Sequence, residues 1–321
     1  MGGNNMSLVE QINSTIFCID CHDLGREKRT GSYIIKGKKV TLIETSASPS
    51  IPYILKGLKE LNIDCDDIEH IIVTHIHLDH SGGVGLFLQE CKNATVYVHP
   101  KGARHLEDPS RLIASARTVY GDDFDKLFDP IVAIPKERLK SMEHEEQLVL
   151  EDRTLTFYHS PGHANHHFSI HDSLSNGLFT GDTAGVYYRE LQEENLVLPS
   201  TSPNQFSPEA MLQSLKMFEQ LNPDCIYFGH FGCHSNPSEV YQQMRYWLPL
   251  FVQCGEQAVE RYEDTEKRIN ETVRLLDQLI TNDLLEKGIH DNHPVFEIIR
   301  IDLPVCAMGI VDYLMKRSVT R

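Results

Sequence analysis

No apolar run in this sequence reaches the ~18 residues that a membrane-spanning helix requires. The opening residues, MGGNNMSLVE, carry no basic segment followed by an apolar stretch, so no secretory signal peptide is expected. They begin Met-Gly, as myristoylated chains do, but Met6 stands where that signal wants Ser or Thr. Positive charge is scarce: 30 Lys and Arg stand against 46 Asp and Glu, a formal net charge of -16. Gripping a phosphate backbone or an anionic membrane takes clustered cations, so neither nucleic acid nor membrane is expected as a partner. Paired cysteine motifs are missing too. Cys18-Ile-Asp-Cys21 is a CxxC without a second pair, and the eight cysteines are expected to be reduced, buried, small hydrophobes. Internal repeats and low-complexity segments are absent. These absences leave a cytoplasmic protein as the expectation.

What is present is a chain of 321 residues, long enough for a sizeable α/β core. Residues 15–20 and 32–46 read as strands, the second stretch broken by a polar Lys36-Gly37-Lys38-Lys39 turn, which is a hairpin signal. Residues 50–62 place Ile51, Ile54, Leu55, Leu58 and Leu61 at helical spacing. Ile71-Ile72-Val73 is continuously apolar, as expected of a strand buried on both faces. Further strands are read at 95–98, 148–150, 155–158, 168–170, 177–180 and 225–228. Ser207-Pro208-Glu209 opens a helix with a cap and a first-turn proline. Beyond Pro237 the pattern becomes helical to about residue 287, with Leu275, Leu276, Leu279 and Ile280 on one side. A short strand is then expected at 295–299 and a last helix at 304–316. The organisation read from this is a domain over 1–236 and a helical extension over 237–321 packing on it.

The most informative stretch follows the strand at 71–73. His75, His77, Asp79 and His80 form an HxHxDH run. In extended chain, side chains two residues apart point the same way, so His75 and His77 share a side. Asp79 and His80 fall on the next turn and face a second point. Imidazole with carboxylate is a donor set for divalent metals. His163, Asp182 and His230 each follow an apolar strand, where a rigid sheet places chemistry. Gly82 and Gly83 suggest close approach of the backbone to this site.

On these motifs the sequence resembles the metallo-β-lactamase superfamily over about residues 15–235. The resemblance implies an α/β fold, the αββα four-layer metallo-β-lactamase sandwich, here with a C-terminal helical extension. It implies two divalent metal ions, zinc first, with iron or manganese as alternatives. His75, His77 and His163 would hold one ion, Asp79, His80 and His230 the other, and Asp182 would bridge both. Glu44 stands where the family usually has Asp. His80 occupies a position that is Arg in the broadest-spectrum zinc β-lactamases, and His77 separates the chain from the diiron branch, which has Glu there. The pattern looks more like glyoxalase II, acyl-homoserine lactonases and related esterases than like antibiotic-degrading enzymes. In lactonase-like relatives a tyrosine near the bridging motif orients the substrate carbonyl; Tyr187 and Tyr188 lie in that area, with core packing as the simpler role. One of His166 and His167 is expected near the site, whereas His99, His159 and His234 are read as supporting.

The implied chemistry is hydrolysis of a small ester, thioester or lactone by a hydroxide bridging two ions, with Asp79 and Asp182 the catalytic carboxylates. A phosphodiesterase or nuclease of the same fold is the alternative enzyme, and a non-catalytic ligand-binding member the alternative class. A homodimer is open, because the apolar stripe of the tail must be covered by something.

Overall fold

The computed structural model describes residues 7–191 and 195–319; the Met1–Met6 start, on which the myristoylation reading rests, lies outside the described residues. The chain divides into two compact units. One comprises the chain up to His159, His166–Gly181 and Pro223–Ser235. The other comprises Ser160–Asn165, Asp182–Asn222 and the chain from Asn236 onward.

The first unit is built on two sheets. One has seven strands in sequence order: β1 (Val9–Gln11), β2 (Ile16–Asp20), β3 (Gly31–Ile35), β4 (Val40–Ile43), β5 (Ile68–Ile72), β6 (Thr95–Val98) and β7 (Leu139–Ser141). β1 to β4 run antiparallel; short turns join β1 to β2 and β3 to β4, and a longer loop over 21–30 joins β2 to β3. β4 to β7 run parallel, which requires long crossovers. Helices supply the crossovers: α1 (Ile51–Glu60), then α2 (Leu78–Ser81) and α3 (Val84–Glu90), then α4 (Pro100–Glu107), α5 (Ser110–Tyr120) and α6 (Phe124–Phe128). The other sheet is formed by β8 (Gln147–Val149), β9 (Thr154–His159), β10 (Phe168–Asp172), β11 (Gly177–Gly181), β14 (Cys225–Phe228) and β15 (Cys233–His234).

Alternation decides which side chains meet. Tyr33, Ile35, Ile43 and Ile72 of the first sheet join Phe157, Phe168, Ile170 and Phe179 of the second in one apolar cluster. Phe157 and Phe168 meet edge-on with centroids 4.9 Å apart, and burying each such ring contributes about 1.5–3 kcal/mol. The opposite face of the first sheet packs Ile34, Leu42 and Ile71 against Ile54, Leu58, Phe87 and Leu106 of the helices. Ile71 and Ile72 thus point into different clusters, as the unbroken apolar run anticipates.

The second unit contains a small hairpin of β12 (Val186–Tyr187) and β13 (Val197–Leu198), followed by α7 (Pro208–Leu221), α8 (Pro237–Arg261), α9 (Thr265–Glu286) and α10 (Val295–Val319). Ser207 caps α7 by accepting a hydrogen bond from the Ala210 N–H. Leu276 and Ile280 are fully buried, and α9 packs on both α8 and α10, so half of the apolar stripe is covered within this unit while Leu275 and Leu279 stay partly exposed. The strand expected at 295–299 is instead the first turns of α10. Its β-branched run satisfies strand and helix patterns equally, and packing against α9 decides for helix. Among the described residues no helix is long and apolar enough to cross a membrane, and no disulfide joins the eight cysteines.

Candidate metal centre

β5 delivers the HxHxDH run. Its chain bends at Thr74 and His75 and is extended again at His77 (φ -63°, ψ 147°), which precedes α2, so Asp79 and His80 ride on the first helical turn. The Thr74 N–H donates to a Glu44 carboxylate oxygen at 2.6 Å, and the Thr74 hydroxyl lies 3.0 Å from His75 Nδ1. The His75 and His77 rings stand nearly perpendicular with centroids 4.6 Å apart. Gly83 serves helix packing rather than the site: a Cβ there would lie 2.7 Å from Ile51 Cδ1.

Glu44 is the residue that ties this segment together. Its second carboxylate oxygen lies 2.7 Å from His80 Nδ1, and both groups are almost fully buried. With Nδ1 donating to Glu44, the other nitrogen of His80 turns toward Asp79, 3.6 Å from Oδ2. His230 approaches the same atom from another element, its Nε2 also 3.6 Å from Asp79 Oδ2. His230 sits in the tight β14–β15 turn, where Phe231 (φ 54°) and Gly232 (φ 93°) reverse the chain. The Tyr33 hydroxyl holds that turn, 2.7 Å from the Phe228 carbonyl. Asp79, His80 and His230 thus present one ligand atom each, all within 4.8 Å of one another. Two buried imidazoles and a partly exposed carboxylate, without thiolate, are a set that suits zinc, iron or manganese, so the residues fit a divalent ion.

Asp23 adds a further carboxylate beside this group. It is buried, and its pKa is pushed up to about 6, first by loss of hydration, with Arg29 opposing and Asp79 adding to the rise. Arg29 Nε lies 3.4 Å from its Oδ2. His166 and His167 are both buried. The His167 ring stacks at 4.9 Å on His75, and His166 meets His77 edge-on at 5.4 Å. His167 and Thr74 both press on Gly181, where a Cβ would lie 2.5 Å from each and φ is +49°; only glycine fits.

The second unit carries His163 and Asp182. Both are buried, with His163 Nε2 3.6 Å from Asp182 Oδ2. Gly162 precedes the histidine at φ +139°, and a Cβ there would strike Met211 Cα of α7 at 2.4 Å. The Thr183 hydroxyl donates to the Ser160 carbonyl at 2.8 Å, closing the segment that follows Asp182 onto the one that precedes His163. Of the seven residues singled out in the sequence, the first unit therefore presents His75, His77, Asp79, His80 and His230, and the second presents His163 and Asp182. Tyr188 is engaged elsewhere, its hydroxyl donating to Asp302 of α10 at 2.7 Å. Tyr187 bonds Asn195. His99 packs on His159 with ring centroids 4.1 Å apart. Sequence reasoning missed Asp23 and the bond from Glu44 to His80. An acid ending the apolar run of β4 was the available signal for Glu44; nothing local marks Asp23.

The model for the metallo-β-lactamase superfamily matches residues 27–230. The chain belongs to that superfamily of metallo-hydrolases, and its α/β fold is the superfamily's. A metallo-β-lactamase fold-containing protein of Sulfurisphaera tokodaii is 29% identical over 204 residues, covering 62% of this chain and 72% of the relative. An N-acyl homoserine lactonase of Rhizobium radiobacter is 27% identical over 176 residues, covering 54% of this chain and 62% of the lactonase. A metallo-β-lactamase family protein of Thermus thermophilus superposes over 96% of this chain and 95% of its own with a TM-score of 0.65, at 16% identity.

Proposed function

We propose that this protein is a dinuclear metal-dependent hydrolase of small esters, thioesters or lactones. The observation that carries the reading is the convergence of His80 Nε2 and His230 Nε2 on one oxygen of Asp79, with His80 held in orientation by Glu44. In this reading Asp79, His80 and His230 hold one ion, His75, His77 and His163 the other, and Asp182 is shared. Bound divalent ions supply a water that ionises near neutral pH and a Lewis acid for the substrate oxygen. The protein's part is to fix the donors. Glu44 keeps His80 in the tautomer whose Nε2 carries a lone pair. Asp79 orients the attacking water by accepting its hydrogen bond. The 27% identity to an acyl homoserine lactonase supports a neutral acyl substrate. A net charge of -16 over the whole chain gives no long-range attraction for a polyanionic one.

The test is elemental analysis of the purified protein followed by assays on a lactone, a thioester, a simple ester and a phosphodiester, before and after chelation. Acyl hydrolysis lost with the metal and restored by zinc is expected. Chelator-sensitive cleavage of the phosphodiester alone would overturn the substrate class, and no turnover by metal-replete protein would favour a binding role.

A further inference from the structure

One residue of the second unit touches both of its ligand candidates. The His163 Nδ1–H donates to the Ser200 carbonyl at 2.9 Å, and the Ser200 hydroxyl donates to Asp182 Oδ2 at 3.0 Å. The first bond places the proton of His163 on Nδ1, so Nε2 presents its lone pair on the side of Asp182. The second fixes which way the carboxylate faces. Neither role needs charge; both need Ser200 to stay where it is.

What holds it is α10. The Thr201 hydroxyl donates to the Cys306 carbonyl at 2.8 Å. The Asn204 N–H donates to Asp312 at 3.1 Å, and Lys316 returns to the Asn204 carbonyl at 2.9 Å. Gly309 lets the helix lie directly on the loop, since a Cβ there would stand 2.2 Å from the Thr201 carbonyl oxygen. One side chain and two backbone groups of the loop are thus bonded to this helix, each within four residues of Ser200.

We propose that Ser200 is a positioning residue for both His163 and Asp182, and that α10 sets metal affinity by clamping it; this rests on the reading of those two residues as metal ligands. Partners that orient a metal ligand typically change affinity about 10–100-fold when removed. Ser200→Ala deletes the hydroxyl and leaves the carbonyl, Ser200→Thr keeps both, and Gly309→Ala drives a methyl into the loop. The exposed Arg300→Ala, whose ion pair is with Asp277, is the control on the same helix.

The measurement is zinc affinity by chelator competition, with the thermal midpoint of the metal-free protein recorded beside it. Ser200→Ala and Gly309→Ala should bind zinc at least ~10-fold more weakly. Ser200→Thr and Arg300→Ala should bind like the wild type. Wild-type affinity in Ser200→Ala would overturn the serine's role, and wild-type affinity in Gly309→Ala would overturn the clamp. A variant that loses only thermal stability, with affinity intact, shows a structural role and also overturns the proposal for that residue. If the wild-type chain itself binds no zinc, iron or manganese, the underlying reading fails instead, and the two failures are distinguishable.

Discussion

The Glu44 carboxylate and His80 Nδ1 lie 2.7 Å apart in a site from which water is almost excluded. A carboxylate can only accept, so the histidine proton resides on Nδ1 and Nε2 is left as the donor atom for a metal. Glu44→Gln should invert this. The amide NH2 would donate to Nδ1, the proton would move to Nε2, and zinc binding would weaken by about 10–100-fold. Glu44→Ala should in addition leave the buried Thr74 N–H unsatisfied, at a cost of about 1–3 kcal/mol. Chelator competition and urea denaturation separate the two effects; equal zinc affinity in Glu44→Gln and the wild type would refute the tautomer argument.

Asp182→Ala should abolish turnover and lower bound metal, whereas His99→Ala should do neither. Asp182 is the carboxylate assigned to both ions. His99 has a local structural duty, since its Nδ1 accepts the Lys101 N–H at the start of α4. Comparable losses of metal in the two variants would show that the ligand assignment is mistaken.

Much of this fold is legible in the sequence because period and position agree. The strand 95–98 and the turn 151–153 are marked by β-branched runs and by polar breaks, and the structure forms β6 and the β8–β9 hairpin there. The HxHxDH run announces itself because four ligand-type side chains rarely crowd the end of an apolar strand. The rest depends on contacts distant in sequence. β7, β12, β13 and β15 are only two or three residues long, too short to show a period. The stretch 295–299 has no local feature separating helix from strand. Asp23 looks like any surface acid until the loop bearing it is buried, and Ser200 sits in a Pro-Ser-Thr-Ser-Pro segment whose purpose is set by α10.

The pH dependence of stability should carry a signature of His99. Burial, then the neighbouring His159 ring, pushes its pKa down to about 3 from 6.5. A histidine held neutral contributes stability that is complete above 6.5. That stability is lost as pH falls toward 3, because the unfolded chain takes up the proton first. His99→Asn keeps a capping side chain but does not titrate. Its stability should match the wild type at pH 8 and fall less steeply on acidification, by at most about 2 kcal/mol at pH 5. Parallel denaturation curves at both pH values would contradict the shift.

Arg153 and Asp172 form an ion pair at 3.1 Å with neither side chain exposed. Arg153 also donates to the Thr15 hydroxyl at 2.8 Å, joining the β8–β9 turn to the start of β2. Arg153→Met should destabilise the protein by about 3–5 kcal/mol, because it strands a buried carboxylate. Asp172 keeps the Ser175 hydroxyl at 2.6 Å, which places the expected loss at the lower end. A urea midpoint within error of the wild type would mean that the carboxylate is protonated or hydrated when alone.

Removal of α8, α9 and α10 is expected to be fatal rather than merely inactivating. Within the second unit Trp247, Leu248 and Phe251 of α8 are buried, and α8 packs on β13 and α7. A chain ending at Asn236 would lose the helix that packs on β13 and α7, whose Val197, Leu198, Met211, Leu215 and Phe218 are all now buried. It would also leave the Tyr188 and Thr201 hydroxyls without Asp302 and Cys306. Each large apolar side chain returned to water costs about 1.5–3 kcal/mol, so exposing several of them rivals the 5–15 kcal/mol by which a typical domain is stable. The truncated chain should therefore aggregate on expression, and any recovered material should bind metal poorly because the segment bearing Ser200 has lost its clamp. A soluble truncation with the wild-type melting transition, metal content and substrate preference would show that these helices form an independent body.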